Sequence, residues 1–216
     1  MRSFILPVVL LLTITASSQK ARFEEGFIVT RSGDTLRGLV YWKKNALAGD
    51  SLQYKKTDTD TPQYFAWNEL TDAFNKGSKQ SLKISPVKRN LEYIDGNDYT
   101  IRFKDSTAVE VIPLTQLYKG SKLSLYQFYD KSQFYFIFDG KQMRQLVQKY
   151  RYLTTMERMF DYEKGRRFQI TDEFRGLLAS YYNFAEDNKM RYVLDNTLYE
   201  QGSLRTIVSK MDKKLK

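Results

Sequence analysis

Short runs rich in β-branched and aromatic residues, each closed by a polar or glycine turn, fill most of the chain from residue 24 to about 150. Phe27–Thr30 and Thr35–Trp42 flank Ser32-Gly33-Asp34 and predict a hairpin, with Gly33 free to take positive φ. Gly38, inside the second run, marks a bulge or a close backbone approach. Residues 51–56 (SLQYKK) and 63–67 (QYFAW) predict a second strand pair around a polar loop. Residues 68–74 (NELTDAF) read as a single helical turn capped by Asn68. Further strands are expected at 91–94, 99–104, 107–112, 123–129 (LSLYQFY), 133–138 (QFYFIF) and 143–147 (MRQLV). No long amphipathic helix separates these runs, so an antiparallel sheet or partly rolled barrel is expected, not a doubly wound sheet.

The period changes near residue 150. Thr171 reads as an N-cap, with Asp172 and Glu173 in the first turn and Phe174, Leu177, Leu178, Tyr181 and Ala185 at helical spacing. Met190, Val193, Leu194 and Thr197 repeat the pattern. Ser203 then reads as the cap of a run through Leu204, Ile207, Val208, Met211 and Leu215. The expected fold class is α+β: an antiparallel β-rich domain over 24–150, followed by short C-terminal helices over 170–214 packed on it. The junction falls at 161–167 (DYEKGRR).

The N-terminus follows a different rule. Arg2 precedes an apolar run from Phe4 to Thr15, and Ala16 and Ser18 fit a small-x-small cleavage site. The run is shorter than the roughly 20 residues that span a bilayer. Residues 1–18 are therefore expected to be a signal peptide, the mature chain to begin near Gln19, and no membrane span to remain after cleavage. The expected location is periplasmic or secreted.

Composition narrows the chemistry. The chain has 216 residues with no cysteine and no histidine, which removes disulfides, thiolate and imidazole metal ligands, and histidine-based nucleophile pairs. No cofactor or metal is expected. The formal charge of +10 suits a lysine-rich solvated surface or attraction to an acidic polymer. The basic clusters (Lys76, Lys79, Lys83, Lys88 and Arg89; Lys164, Arg166 and Arg167; Lys210, Lys213, Lys214 and Lys216) form no continuous stripe, so no specific nucleic-acid partner is expected.

Glycine-rich phosphate loops and the GxSxG elbow are absent. Ser85-Pro86-Val87-Lys88 matches S-x-x-K without its supporting motifs. Asp58, Asp60 and Glu69 have calcium-loop spacing, but the fifth and sixth positions are Pro62 and Gln63. Glu92, Asp95, Asp98 and Glu110 are carboxylates that could serve hydrolysis if two of them converge. The aromatic block is the most unusual feature: Tyr126, Phe128 and Tyr129, then Phe134, Tyr135, Phe136 and Phe138. Alternation puts aromatics on both faces of this hairpin, so one face needs cover from the chain's own helices, a partner or a ligand. Tyr126, Tyr129 and Tyr135 are the candidate partner-binding residues.

Gly26 to Thr30, followed by Gly33-Asp34-Thr35-Leu36 and Gly38, resembles the opening G-[FY]-I-V-T-x-x-G-D-T-[LI]-x-G-x-[IV] of uncharacterised secreted proteins of Bacteroidota-type bacteria. The resemblance implies secretion and a strand-rich half followed by Tyr- and Leu-rich helices; it brings no activity and no site residue. Three functions stand open: a non-catalytic cell-envelope protein binding a protein or glycan partner, a carboxylate-dependent envelope hydrolase, and an electrostatic binder of acidic polymer.

Overall fold

The Ser32-Gly33-Asp34 turn closes as its chemistry demands. Gly33 takes a φ of +95°, and Glu24–Thr30 (β1) pairs antiparallel with Thr35–Tyr41 (β2). The computed structural model describes residues 22–160 and 167–215, so the expected signal segment and most of the 161–167 junction lie outside the described residues. Gly38 marks a close approach. It faces Gly26 across the ladder, and a methyl group there would sit 2.2 Å from the Lys55 carbonyl oxygen. Gly38→Ala is expected to cost about 1–3 kcal/mol, because a neighbouring strand must shift to admit the methyl. A urea midpoint equal to that of the wild type would show that the sheet yields freely there.

From this hairpin a ten-stranded antiparallel sheet grows in both directions. Ser51–Lys55 (β3) and Gln63–Ala66 (β4) extend it beyond β2. On the other side follow Leu70–Asn75 (β5), Gln80–Asn90 (β6), then Thr107–Lys119 (β9) beside β6. Ser124–Asp130 (β10), Ser132–Phe138 (β11) and Met143–Leu146 (β12) complete the sheet in order. Two small ladders stand apart: Tyr93–Asp95 (β7) with Thr100–Arg102 (β8), and Lys149–Tyr152 (β13) with Phe168–Thr171 (β14). The helices are Thr155–Phe160 (α1), Glu173–Ala179 (α2), Asn188–Asp195 (α3) and Gln201–Lys214 (α4). The fold is α+β, and no helix among the described residues is long and apolar enough to cross a membrane.

The sheet rolls without closing. Its edge strand β12 returns to the end of β6, where the Gln145 amide accepts from the Asn90 N–H at 2.6 Å and donates to the Asn90 carbonyl at 3.2 Å. The long strand β6 tolerates Pro86 because β5 flanks only Gln80–Asn75 through Lys83–Asp72; beyond that β6 has β9 as its one paired neighbour.

Three apolar clusters follow from this curvature. Ile28, Val40, Leu52, Trp67, Leu70, Leu82 and Ile84 pack on the β1–β6 side. Val87, Ile112, Leu114, Tyr126, Phe128, Phe134 and Phe136 fill the inside of the roll. Leu125, Tyr135, Ile137 and Leu146, on the outer face of β10–β12, are covered by Phe174, Leu178, Leu194, Leu204, Ile207 and Val208 of the C-terminal helices. Each such side chain contributes roughly 1.5–3 kcal/mol by burial.

Several local expectations need correction. Residues 70–75 are the central strand β5, not a helical turn; only Trp67–Glu69 forms a short 3-10 turn. The apolar spacing misleads because Val29 pairs with Asp72 but Thr30 with Leu70, a bulge that skips Thr71. Leu70 and Ala73, three apart, thus both become buried. Strands β6, β13 and β14 are additional to those expected, although Leu82 and Ile84, Tyr150 and Tyr152, and Phe168 and Ile170 each alternate with polar residues. The N-caps move as well. Asp172 precedes α2, while Thr171 ends β14; Glu200 precedes α4, and the Ser203 hydroxyl bonds back to the Glu200 carboxylate at 3.0 Å.

Candidate functional site

The aromatic block divides by strand parity. Tyr126 pairs with Phe136 and Phe128 with Phe134 on the inner face, whereas Leu125 pairs with Ile137 and Gln127 with Tyr135 on the outer face. Tyr126 is 4% exposed, with its hydroxyl accepting from the Gln116 amide at 3.2 Å. Tyr135 is fully buried beneath the helices, edge-on to Tyr199 at 5.1 Å. Burial pushes both phenols up from their ordinary value. The two are therefore core residues, not contact platforms, and the chain's own helices supply the cover that the second face needed. Tyr129, at 39% exposed, is the candidate that reaches the surface.

Tyr129 opens onto a groove of about 520 Å³, within the usual range for ligand sites. Its floor is a row of paired positions across the sheet: Leu82 with Thr115, and Thr115 with Gln127. Next to Tyr129 stands its cross-strand partner Gln133. Pro113, which has no N–H to donate, lies two residues from Thr115, and β9 pairs with β10 no further than Thr115. The strands part there, and Phe128 also lines the groove.

The walls come from two separate covers of the same sheet face. Residues 42–46 after β2 form one side, with Trp42 and Ala46 buried and Lys43, Lys44 and Asn45 exposed at the rim. That segment is pinned by the Trp67 indole N–H donating to the Leu47 carbonyl at 2.9 Å and by Lys43 on Asp50 at 2.9 Å. Gln201, the first residue of α4, stands on the other side. The groove is the strip of sheet that neither cover reaches.

Its polar groups are mostly amides. Gln133 accepts the Tyr135 hydroxyl at 2.7 Å through Oε1, which fixes the amide and leaves its NH2 to donate. The side chains of Gln80, Thr115, Gln127 and Gln201 make no hydrogen bond to the protein among the described residues. No aspartate or glutamate lines the groove. The arrangement can donate and accept hydrogen bonds beside an aromatic face, but the lining lacks a carboxylate for proton transfer.

The other sequence candidates are occupied elsewhere. Glu92 is buried and accepts the backbone N–H groups of Tyr150 at 2.6 Å and Asp105 at 3.0 Å. Asp95 and Asp98 order the β7–β8 turn and pair with Arg102. Glu110 does converge with a second carboxylate, Asp130, but both bind Arg89, at 2.7 and 2.8 Å. Ser85 and Lys88 lie three apart on strand β6 and so face opposite sides, which breaks the S-x-x-K geometry. Asp60 accepts the Thr57 N–H and Glu69 the Ala66 N–H, and no group of three potential metal ligands occurs among the described residues. The basic clusters are dispersed too: Lys76 pairs with Glu25, Lys83 with Asp72 and Lys214 with Asp187, while Arg89 is buried.

No protein-family model, curated protein or solved structure matches the chain.

The groove itself had a sequence signal only in Tyr129. Gln80, Thr115, Gln127, Gln133 and Gln201 come from five elements, and no spacing in the chain announces that they meet.

Proposed function

We propose that the chain is a non-catalytic cell-envelope protein that binds a glycan partner in the groove beside Tyr129. The observation that carries this is the lining: the amides of Gln80, Gln127 and Gln201 and the Thr115 hydroxyl, which make no side-chain hydrogen bond among the described residues, beside an exposed tyrosine and with no acid among them. Sugars present paired hydroxyls that an amide can donate to and accept from at once, and an apolar ring face that stacks on a phenol. Export rests on the apolar run and the Ala16-Ser17-Ser18 pattern of the N-terminus. Nothing in the groove favours a carboxylate hydrolase. The basic clusters are dispersed, and Lys76, Lys83 and Lys214 within them are paired with acids, which gives little support to a purely electrostatic polymer binder.

A glycan array followed by calorimetric titration of the best oligosaccharide tests this. Tyr129→Ala and Gln127→Ala, each shown folded by circular dichroism, are expected to weaken binding about tenfold, the cost of one aromatic or hydrogen-bonding contact. The stacking part should persist at 200 mM salt, since apolar burial is not screened. Equal affinity of both variants and the wild type would remove the groove from consideration.

A further inference from the structure

We infer that the groove takes an anionic glycan, one whose sugar rings carry carboxylates. The inference rests on the glycan assignment above and adds the class of sugar. Three features of the site point the same way. First, the lining contains two lysines and no acid, in a chain with 25 acidic residues. A neutral-sugar site has no reason to exclude carboxylates, which are good hydroxyl acceptors. Second, the two lysines differ. Lys43 is held by Asp50 at 2.9 Å and serves to fix the 43–50 loop, whereas Lys44 makes no ion pair among the described residues. The anchored loop thus presents one uncommitted ammonium at the rim.

Third, the opposite wall is the start of α4, a helix of 14 residues. Its N-cap residue, Glu200, makes no side-chain bond to the first-turn N–H groups; the Gln201 N–H is directed at the Tyr135 hydroxyl, and the N–H groups behind it carry the positive end of the helix dipole. Glu200, the nearest acid in sequence, is exposed and accepts the Ser203 hydroxyl. The groove floor between Lys44 and the start of α4 carries the amides Gln80, Gln127 and Gln133. A uronate chain matches this order of groups. Its carboxylates meet Lys44 and the helix start, its hydroxyls meet the amides, and one ring rests on Tyr129.

The probe is a linear galacturonate hexasaccharide, compared by calorimetry with the same chain after its carboxyls are reduced to alcohols. The charged chain is expected to bind about tenfold more tightly, the scale of one charge-assisted hydrogen bond. Lys44→Gln, an exposed substitution that leaves the core untouched, should erase most of that difference. Equal binding of both chains, with Tyr129→Ala weakening both, would overturn the anionic class and leave the glycan site standing. Tight binding of the charged chain that neither Lys44→Gln nor Tyr129→Ala affects would place it elsewhere on the basic surface and overturn the inference. Binding of neither chain would overturn it as well. An array negative for every glycan would sink the parent assignment separately.

Discussion

Arg89→Ala is expected to lower the unfolding free energy by about 3–5 kcal/mol, the range for breaking a buried ion pair and emptying its slot. Arg89 is 4% exposed. Its guanidinium lies between the rings of Phe128 and Phe134, 5.1 and 4.9 Å from their centres, and binds Glu110 and Asp130. The planar cation thus packs as an apolar residue on its faces and as an ion at its edge. Arg89→Met separates the two contributions. It refills the slot between the rings, and the orphaned carboxylates, still 24% and 32% exposed, can draw on water. A loss of about 1–2 kcal/mol is expected for methionine, since a partly wetted carboxylate costs far less than a fully buried one. Urea unfolding of the wild type and both variants checks this. An alanine variant within 1 kcal/mol of the wild type would show that the stacked guanidinium holds little together.

Arg89 also shows where the sequence stops being legible. It stands among Lys76, Lys79, Lys83 and Lys88 and reads as surface charge. Strand β6 buries Leu82 and Ile84 near its start but Val87 and Arg89 near its end. Its buried face changes across Pro86 because one cover, the β1–β4 side, gives way to another, the inside of the roll. A single alternating period cannot describe such a strand. The β1–β2 and β10–β11 hairpins were legible for the opposite reason: each has local turn chemistry and one consistent parity. The C-terminal helices were legible through their apolar stripes, although their caps were not, because Asp172 is engaged by Gln148 from outside α2 and by Arg175 of its own first turn. Tyr129 shares the outer face with Tyr135, and it is exposed because it stands at the end of β10, where the helices that bury Tyr135 do not cover it. The aromatic pattern predicted two covered faces but not which residue lay beyond the helices. The groove depends on the partings between covers, a property of tertiary arrangement alone.

Asp212→Ala is expected to cost about 3–4 kcal/mol, because it strips partners from several donors at once. Asp212, on the inner side of α4, is 7% exposed. Its Oδ1 accepts the N–H groups of Lys122 at 2.7 Å and Leu123 at 2.8 Å, and its Oδ2 accepts the Ser121 N–H at 3.1 Å and the Tyr118 hydroxyl at 3.0 Å. One carboxylate therefore ties the β9–β10 turn to the helix layer that walls the groove. Asp212→Asn keeps one acceptor oxygen and turns an NH2 towards two donors, so it should fall close to the alanine variant. The pH dependence has a definite sign. Burial pushes the carboxyl up, but the three backbone N–H groups and the Tyr118 hydroxyl outweigh it and hold Asp212 below its ordinary value. A carboxyl lowered by folding binds its proton less readily folded than unfolded. Its contribution is complete above the unfolded value of about 4 and is lost as pH falls through the lower folded value. Glu157 and Asp187, both held at about 2, titrate in the same acid range, so the informative quantity is the difference between wild type and variant. Urea midpoints of the wild type and Asp212→Asn should stand furthest apart near neutral pH and converge below pH 4. A gap that stays constant down to pH 2 would show that the four donors do not depend on the charge of Asp212, and that its place in the turn is one of shape alone.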